Sequence, residues 1–148
     1  MLATILFGLL LIAITIVIQA YGTSYWFTVL QRHHKKIQHH KNPKTAIKLL
    51  VFTGFFMTML HLTQSSCWAA LYLFLPQVTE FQTFESAFYF SLVTFTTLGY
   101  GDITIGSEHR ILSGLEAING IILIGWSTAL MFSVFQNILR EKHKVKAQ

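Results

Sequence analysis

The stretch TFTTLGYGDIT, residues 94–104, places a glycine on each side of one tyrosine in a chain that is otherwise strongly apolar. Threonines precede the glycines, and Asp102 follows them. Glycine is disfavoured inside helices and strands, because it loses more conformational freedom on folding than other residues do. The stretch is therefore predicted to be irregular backbone, and the surrounding sequence has to explain why an apolar protein holds such a segment.

The composition indicates a membrane protein. The 148 residues are 53% hydrophobic and 11% charged, with a mean hydropathy of +0.52, whereas soluble domains carry about 25% charged residues. Charged side chains are absent from four runs, residues 1–31, 49–79, 86–101 and 117–139. A bilayer-spanning helix needs about 20 apolar residues, so three runs can span and 86–101 cannot. We predict an all-α fold with transmembrane helices at 1–22, 46–76 and 109–139. The single cysteine, Cys67, excludes an internal disulfide.

The basic residues predict the orientation. The formal net charge of +5 would by itself fit nucleic acid or anionic lipid, but the positions of the charges favour a membrane and no nucleic acid. Ten of the 11 lysines and arginines lie at residues 32–48 or after residue 139. Short basic segments stay in the cytoplasm, so the N-terminus is predicted outside and the C-terminus inside. Both basic blocks reach one side only if residues 83–102 enter and leave the membrane from the other side.

The re-entrant segment begins as a helix. Thr83 is a suitable N-cap, and Glu85 in the first turn complements the positive end of the helix dipole. About three turns follow, too few to cross a bilayer. The C-terminal carbonyls of this half-helix then point toward the membrane centre, where their partial negative charge suits a cation.

The motif after the half-helix has the composition of a backbone segment whose carbonyl oxygens bind a cation. Irregular backbone at membrane depth is tolerated only within protein or beside water. Glycines at alternate positions allow successive carbonyls to face one side. We expect the ligands to come from residues 97–101, namely Thr97, Leu98, Gly99, Tyr100 and Gly101, with the Thr97 hydroxyl added at the inner end and with Leu98 and Tyr100 bracing the segment from behind. One such strand cannot surround an ion, so several chains must share an axis.

TTLGYGD resembles the selectivity filter of potassium channels, in which four such loops replace the hydration shell of the ion. The resemblance covers residues 46–139 and is closest to channels with a two-transmembrane pore domain, here with an extra N-terminal helix. It implies a homotetramer with K+ ions held at residues 97–101, notably at Thr97, Leu98, Gly99 and Tyr100, and no organic cofactor. Thr96, Asp102 and Tyr89 would support the filter, with the Tyr89 hydroxyl donating a hydrogen bond to Asp102. Leu98 stands where valine or isoleucine is commoner, and Tyr89 and Phe90 stand where many members have two tryptophans.

The resemblance also makes the last span, 109–139, the inner pore-lining helix. Gly120 and Gly125 are candidates for a gating hinge, although small residues also serve close helix packing in membranes. At helical spacing, Thr128, Phe132 and Phe135 share the face toward the axis with Ile121 and Ile124. A phenylalanine ring near the cytoplasmic end could dewet and close the pore, and packing between subunits is the alternative.

Among the polar residues inside predicted spans, three are candidates for a role in the pore. Glu116 could tune the field felt by the ion or brace the half-helix, and intramembrane acids are costly. Asn119 could face the cavity or a neighbouring helix. His61 could sense protons or make a hydrogen bond between helices.

The linker at residues 23–45 is basic and rich in histidine, with His33, His34, His39 and His40. It could bind a metal, respond to acid, or lie on anionic lipid headgroups.

No span carries the repeated arginines of a voltage sensor, and the tail at 140–148 leaves no room for a regulatory domain. No catalytic motif indicates an enzyme. The expected function is a potassium channel of the cell membrane; the alternatives are a weakly selective cation channel, a potassium uptake subunit, or a metal- or haem-binding membrane module that uses the linker histidines and His61.

Overall fold

The computed structural model describes residues 2–37, 43–75, 78, 80–106 and 109–146, and the side chains of residues 33–37, 43–45 and 141–146 lie outside the description. Within these ranges the chain forms helices α1 (Leu2–Ile37), α2 (Pro43–Phe74), α3 (Phe84–Phe95) and α4 (Arg110–Lys146), and no residue is in a strand. Helices α1, α2 and α4 are long and apolar enough to cross a membrane. This confirms the predicted all-α membrane fold.

Helix α1 lies alongside both α2 and α4. Near its start, a Cβ atom on Gly8 would be 2.5 Å from Cδ1 of Leu115 in the first turns of α4. Near its other end, the Trp26 indole donates a hydrogen bond to the Thr53 hydroxyl of α2 at 3.1 Å. Helix α1 is therefore parallel to α4 and antiparallel to α2. The end of α1, the start of α2 and the end of α4, which carry the basic residues, consequently lie at the same end of the bundle.

The segment between α2 and α4 returns to the end of the bundle from which it starts. Glu80, which precedes α3, accepts a hydrogen bond at 2.7 Å from the backbone N–H of Gly106, which follows the TTLGYGD motif. Helix α3 has 12 residues and is therefore about 18 Å long, too short for a bilayer core of about 30 Å. The backbone runs into the bundle along α3 and returns to the same end of the bundle through the motif.

An aromatic cluster, Trp68, Tyr72, Phe81 and Phe90, seats α3 against α2, and all four side chains are buried. The Tyr72 and Phe90 rings meet edge to face with centroids 5.3 Å apart, and Phe81 lies 5.7 Å from Tyr72 and 5.1 Å from Phe90. Aromatic pairs at such distances add about 0.5–1.5 kcal/mol each beyond the area they bury. The cluster therefore fixes the half-helix in place without help from another chain.

The first helix is longer than the predicted span at 1–22. It continues to Ile37, so much of the predicted linker at 23–45 is helical. Gly22 does not end the helix; a Cβ atom there would be 2.8 Å from Cδ1 of Leu60. This glycine allows α1 and α2 to approach closely, and the uncharged residues after it extend the apolar helix.

The other long helices also differ from the predicted boundaries. Helix α2 begins at Pro43 rather than at residue 46, because proline at the first helical position loses no intrahelical hydrogen bond. It ends at Phe74, and Pro76, predicted to end it, lies outside the described residues. Helix α4 continues to Lys146, into the predicted tail at 140–148, where basic residues interact favourably with the C-terminal end of the helix dipole.

Candidate functional site

Helix α3 is fixed at both ends by hydrogen bonds. As predicted, Thr83 is the N-cap: its side chain accepts from the backbone N–H of Ser86 at 3.2 Å, and Glu85 lies in the first turn. At the other end, the carbonyl of Val93 accepts from the N–H of Leu98 at 2.9 Å. The motif is thus tied directly to the last turn of the half-helix, with no free linker between them.

The backbone of the motif alternates between two conformations. Thr97, Gly99 and Gly101 have φ values of +59°, +55° and +77°, whereas Leu98 and Tyr100 between them have none in this region. Alternation of this kind turns successive carbonyl groups toward one side of the strand. Glycine adopts positive φ at little cost, but a β-branched threonine does so only under strain. The sequence indicated the two glycines and gave no signal for Thr97.

The motif is open on the surface of a single chain. A Cβ atom on Gly99 or Gly101 would meet no heavy atom within 4 Å, so these glycines are required by their backbone angles and not by lack of space. Leu98 and Tyr100 are 55% and 67% exposed. The expectation that they brace the motif is therefore not met within one chain. A cavity of about 550 Å³ separates the motif from the first turns of α4.

Two polar side chains at the ends of the TTLGYGD motif, Thr96 and Asp102, form hydrogen bonds with the half-helix. The predicted hydrogen bond from the Tyr89 hydroxyl to the Asp102 carboxylate is present, at 2.8 Å. This bond raises the pKa of the Tyr89 phenol, so the hydroxyl remains a donor at neutral pH. The Thr96 hydroxyl turns back to the carbonyl of Leu92 at 2.7 Å, where it completes the end of α3.

Glu116 is fully buried where α2, α3 and α4 meet. Its Oε2 atom accepts a hydrogen bond from the Tyr72 hydroxyl of α2 at 2.6 Å, whereas its Oε1 atom and the Ser91 hydroxyl of α3 are buried without a hydrogen-bond partner among the described residues. Asn119, one turn later, donates to the Thr15 hydroxyl of α1 at 2.8 Å. Of the two predicted alternatives for each residue, the contacts favour bracing for Glu116 and a neighbouring helix for Asn119.

Gly120 lies where α4 crosses the end of the half-helix. A Cβ atom there would collide with the backbone carbonyl of Phe95, whereas one on Gly125 would meet no heavy atom within 4 Å. Helix α4 is continuous through both glycines. Close packing thus accounts for Gly120, and a hinge at either glycine remains a prediction.

The face of α4 opposite these contacts is open. The residues predicted to face the axis, Ile121, Ile124, Thr128, Phe132 and Phe135, are all exposed in the single chain. Phe132 and Phe135 are 60% and 43% exposed. This apolar face is available for contact with other chains or with a conduit, and the gating role of the two phenylalanines remains a prediction.

His61 is half-buried in α2 and forms a hydrogen bond with the side chain of Gln64 at 3.0 Å. Its ring also lies 5.8 Å from that of Phe95, the last residue of α3. His39 and His40 lie outside the described residues, as do the side chains of His33 and His34. Over the part of the chain that is described, no three histidine, cysteine or acidic side chains are grouped to hold a metal ion.

The comparison with known families decides the class of protein. A sequence profile of a family described as "Ion channel" matches residues 45–137, from the start of α2 into α4, and this region includes the half-helix and the motif. The chain belongs to this ion-channel family. This ion channel is a membrane protein and not an enzyme. Helix α1 precedes the matched region.

Two similar proteins are voltage-gated potassium channels by name. Shal of Drosophila melanogaster is 32% identical over 69 residues, which are 45% of this chain and 12% of that protein. The potassium voltage-gated channel subfamily A member 4 of Homo sapiens is 40% identical over 60 residues, which are 38% of this chain and 9% of that protein. The chain thus spans only a small part of the length of these relatives. No solved structure matches the channel.

Sequence reasoning missed several residues that the structure brings together. Gln19 of α1 and Gln64 of α2 are fully buried and share a hydrogen bond of 2.9 Å between their side chains. Ser127 of α4 joins Gln19 at 3.0 Å. The available signal was the presence of two amide side chains in apolar spans, since polar residues there commonly join helices.

Proposed function

We propose that this ion channel is a homotetramer that conducts K+ selectively and passively. The observation that carries the proposal is that residues with positive φ, Thr97, Gly99 and Gly101, alternate with residues that lack it. These residues directly follow the end of a half-helix. Carbonyl groups turned to one side form a row of oxygens, and four such rows around an axis can replace the water shell of an ion. The row on one chain is exposed, as a shared axis requires.

In this proposal K+ ions bind at the carbonyls of residues 97–101, with the Thr97 hydroxyl at the inner end. The open faces of the motif and of α4 are the surfaces that meet across subunits. The Tyr89–Asp102 bond supports the outer end of the filter. Glu116 braces the half-helix behind the filter. The potassium channels among the relatives are consistent with selectivity for K+.

The proposed location is the cell membrane, with the N-terminus outside and the C-terminus in the cytoplasm. The packing directions support it, because they bring the basic ends of α1, α2 and α4 to one end of the bundle. Those residues would then contact anionic headgroups. Helix α1 has no charged residue before Arg32 and therefore cannot act as a voltage sensor.

Two alternatives are distinguishable from this function. A weakly selective cation channel would use the same motif with less discrimination between ions. A membrane-anchored metal-binding module would depend on the histidines of the linker, and metal analysis of the purified protein tests it directly. The contacts described above favour neither alternative over a potassium channel.

The decisive experiment is ion flux in liposomes that contain the purified protein. We expect K+ flux well above Na+ flux, with block by barium. Gly99→Ala should abolish the flux, because alanine at positive φ is strained. Thr58→Val is the control, since it removes an exposed hydroxyl of α2 that is bonded within its own helix. Equal K+ and Na+ flux in the wild-type protein would contradict selectivity, and absence of flux would contradict the channel function.

A further inference from the structure

Helix α1 carries polar side chains on the face that meets the pore domain. Thr15 and Gln19 of α1 are fully buried, as is Gln64 of α2, and Ser127 of α4 is 8% exposed. A helix that only filled space at the lipid boundary would need none of these groups. Because α1 lies outside the region that matches the ion-channel family, membership of the family does not account for them.

The polar chain, which we define as His61, Gln64, Gln19 and Ser127, runs from α2 through α1 to α4. The Gln64 amide donates to the Gln19 carbonyl oxygen at 2.9 Å, and the Gln19 amide donates to the Ser127 hydroxyl at 3.0 Å. The Gln64 carbonyl oxygen is left to accept from Nδ1 of His61 at 3.0 Å. Every link has the same direction, and Gln19 is the only member that touches both α2 and α4.

A chain of this kind specifies one arrangement of the helices. In a membrane interior there is no water to satisfy an amide that loses its partner. Removing one link leaves polar atoms unpaired on both neighbours, which costs more than the link itself contributes. Apolar contacts tolerate sliding or rotation of the helices. The polar chain, in contrast, is complete only when α1, α2 and α4 are in register.

The attachment point on α4 lies between the two features that would govern the pore. Ser127 is seven residues after Gly120, or about 10.5 Å along the helix, and Gly120 packs against Phe95 of the half-helix. Phe132, a candidate gate, is five residues further on. Helix α4 is thus held by α3 at Gly120. It is held by α1 both at this height, where Asn119 bonds Thr15, and lower, where Ser127 bonds Gln19. A bend or rotation of α4 below Gly120 has to break the bond between Gln19 and Ser127.

We propose that Gln19 is a positioning residue for ion conduction: through Ser127 it holds the inner helix α4 in register, so that α1 sets the balance between open and closed pores. The inference rests on the proposed channel function. It makes α1 a working part of the pore domain and not a peripheral anchor. Gln19 bonds Gln64 and Ser127, which lie on α2 and α4 outside the motif, so the conductance and selectivity of the filter should not depend on Gln19.

The test is single-channel recording of the full chain in planar bilayers, with thermal unfolding of the same preparations. Gln19→Leu should change the ratio of open to closed times about threefold or more, the factor expected for one intramembrane hydrogen bond, with unitary conductance and K+/Na+ selectivity unchanged. The matched control is Thr58→Val, which removes an exposed hydroxyl bonded only within its own helix and should leave the ratio as in the wild type.

A triple variant, Gln19→Leu with Gln64→Leu and Ser127→Ala, separates positioning from stability. With these three side chains replaced, the half-buried His61 is the one member of the polar chain left without its partner, so thermal stability should recover part of the way toward the wild type while the open-to-closed ratio stays altered. An unchanged ratio in folded Gln19→Leu, or recovery of both properties in the triple variant, would overturn the inference. If the wild-type protein itself passes no current, the proposed function fails instead.

Discussion

Among the described residues, Thr97 is the one non-glycine residue with a positive φ, and it lies just after the end of α3. Its φ of +59° is strained for a β-branched residue, a state that costs about 1–3 kcal/mol and persists only where its surroundings enforce it. Here its N–H is bonded to the carbonyl of Thr94 at 2.9 Å, and the following N–H is bonded to that of Val93. The end of α3 therefore enforces the first left-handed residue, and the glycines continue the alternation at little cost.

Replacement of Tyr89 by phenylalanine tests the support at the outer end of the motif. Tyr89→Phe removes the only hydroxyl that bonds Asp102 along the described chain, so we expect faster loss of K+ current during sustained conduction, with unitary conductance kept. The measurement is the decay of current after activation. Tyr21→Phe is the control, because Tyr21 is exposed on α1 away from the motif. A decay equal to that of the wild type in Tyr89→Phe would make the bond irrelevant to the filter.

Glu116 allows a test of bracing against field tuning. Glu116→Gln keeps the size of the side chain and an oxygen for the Tyr72 hydroxyl, so stability, conductance and barium block should stay near the wild type. Glu116→Leu leaves that hydroxyl unpaired and should lower stability by about 1–3 kcal/mol. Chemical unfolding and barium block measure the two effects. Reduced conductance in a fully stable Glu116→Gln protein would show that the charge tunes the ion.

The four helices differ in what holds them together. Helix α3 is fixed mainly by the aromatic cluster and by its end hydrogen bonds, whereas α1 joins α2 and α4 through glycine contacts and buried amides. The crossing of α3 and α4 at Gly120 and Phe95 is the closest of these contacts. It joins α4, the proposed pore-lining helix, to the residue before the motif, so movement of α4 at this height would reach the proposed filter directly.

Gly120→Ala should test that crossing. The added methyl group would collide with the carbonyl of Phe95, and overpacking of this kind costs about 1–3 kcal/mol. We expect lower thermal stability together with loss of K+ flux. Gly125→Ala, where the space is open, should keep wild-type stability. If Gly120→Ala changes only open and closed times at full stability, Gly120 acts as a hinge and not as a packing residue.

At the scale of the whole molecule, one chain leaves its most important surfaces unpaired. The motif, the cavity behind it and the apolar face of α4 are all accessible in the single chain, although its own helices are well packed. A face of this kind, with the exposed side chains of Ile118, Ile121 and Phe132, can meet lipid or other subunits in a membrane. Assembly around a common axis would cover it and complete the ion sites.

Removal of K+ should therefore destabilise the proposed tetramer. Ions that bind only the assembled filter stabilise it by mass action, by about 2.7 kcal/mol per site at a hundred times the dissociation constant. We expect the tetramer to dissociate at a lower temperature in Na+ than in K+, as measured by gel electrophoresis after heating. Gly99→Ala should abolish the difference between the two ions. Equal stability of the wild-type assembly in K+ and Na+ would contradict K+ binding between subunits.

The local sequence was sufficient for the class of fold, the membrane spans, the Thr83 cap and the irregular motif, because each depends on hydropathy, charge or the backbone freedom of nearby residues. The Tyr89–Asp102 bond was also predictable, since both residues belong to one short re-entrant segment. Only the tertiary structure decided that Gly22 and Gly120 are packing positions and that Gln19 joins Gln64 to Ser127. These features pair residues far apart in the chain, and a glycine or an amide in an apolar helix has the same local pattern whichever helix it meets. Which partner it meets depends on how the helices cross.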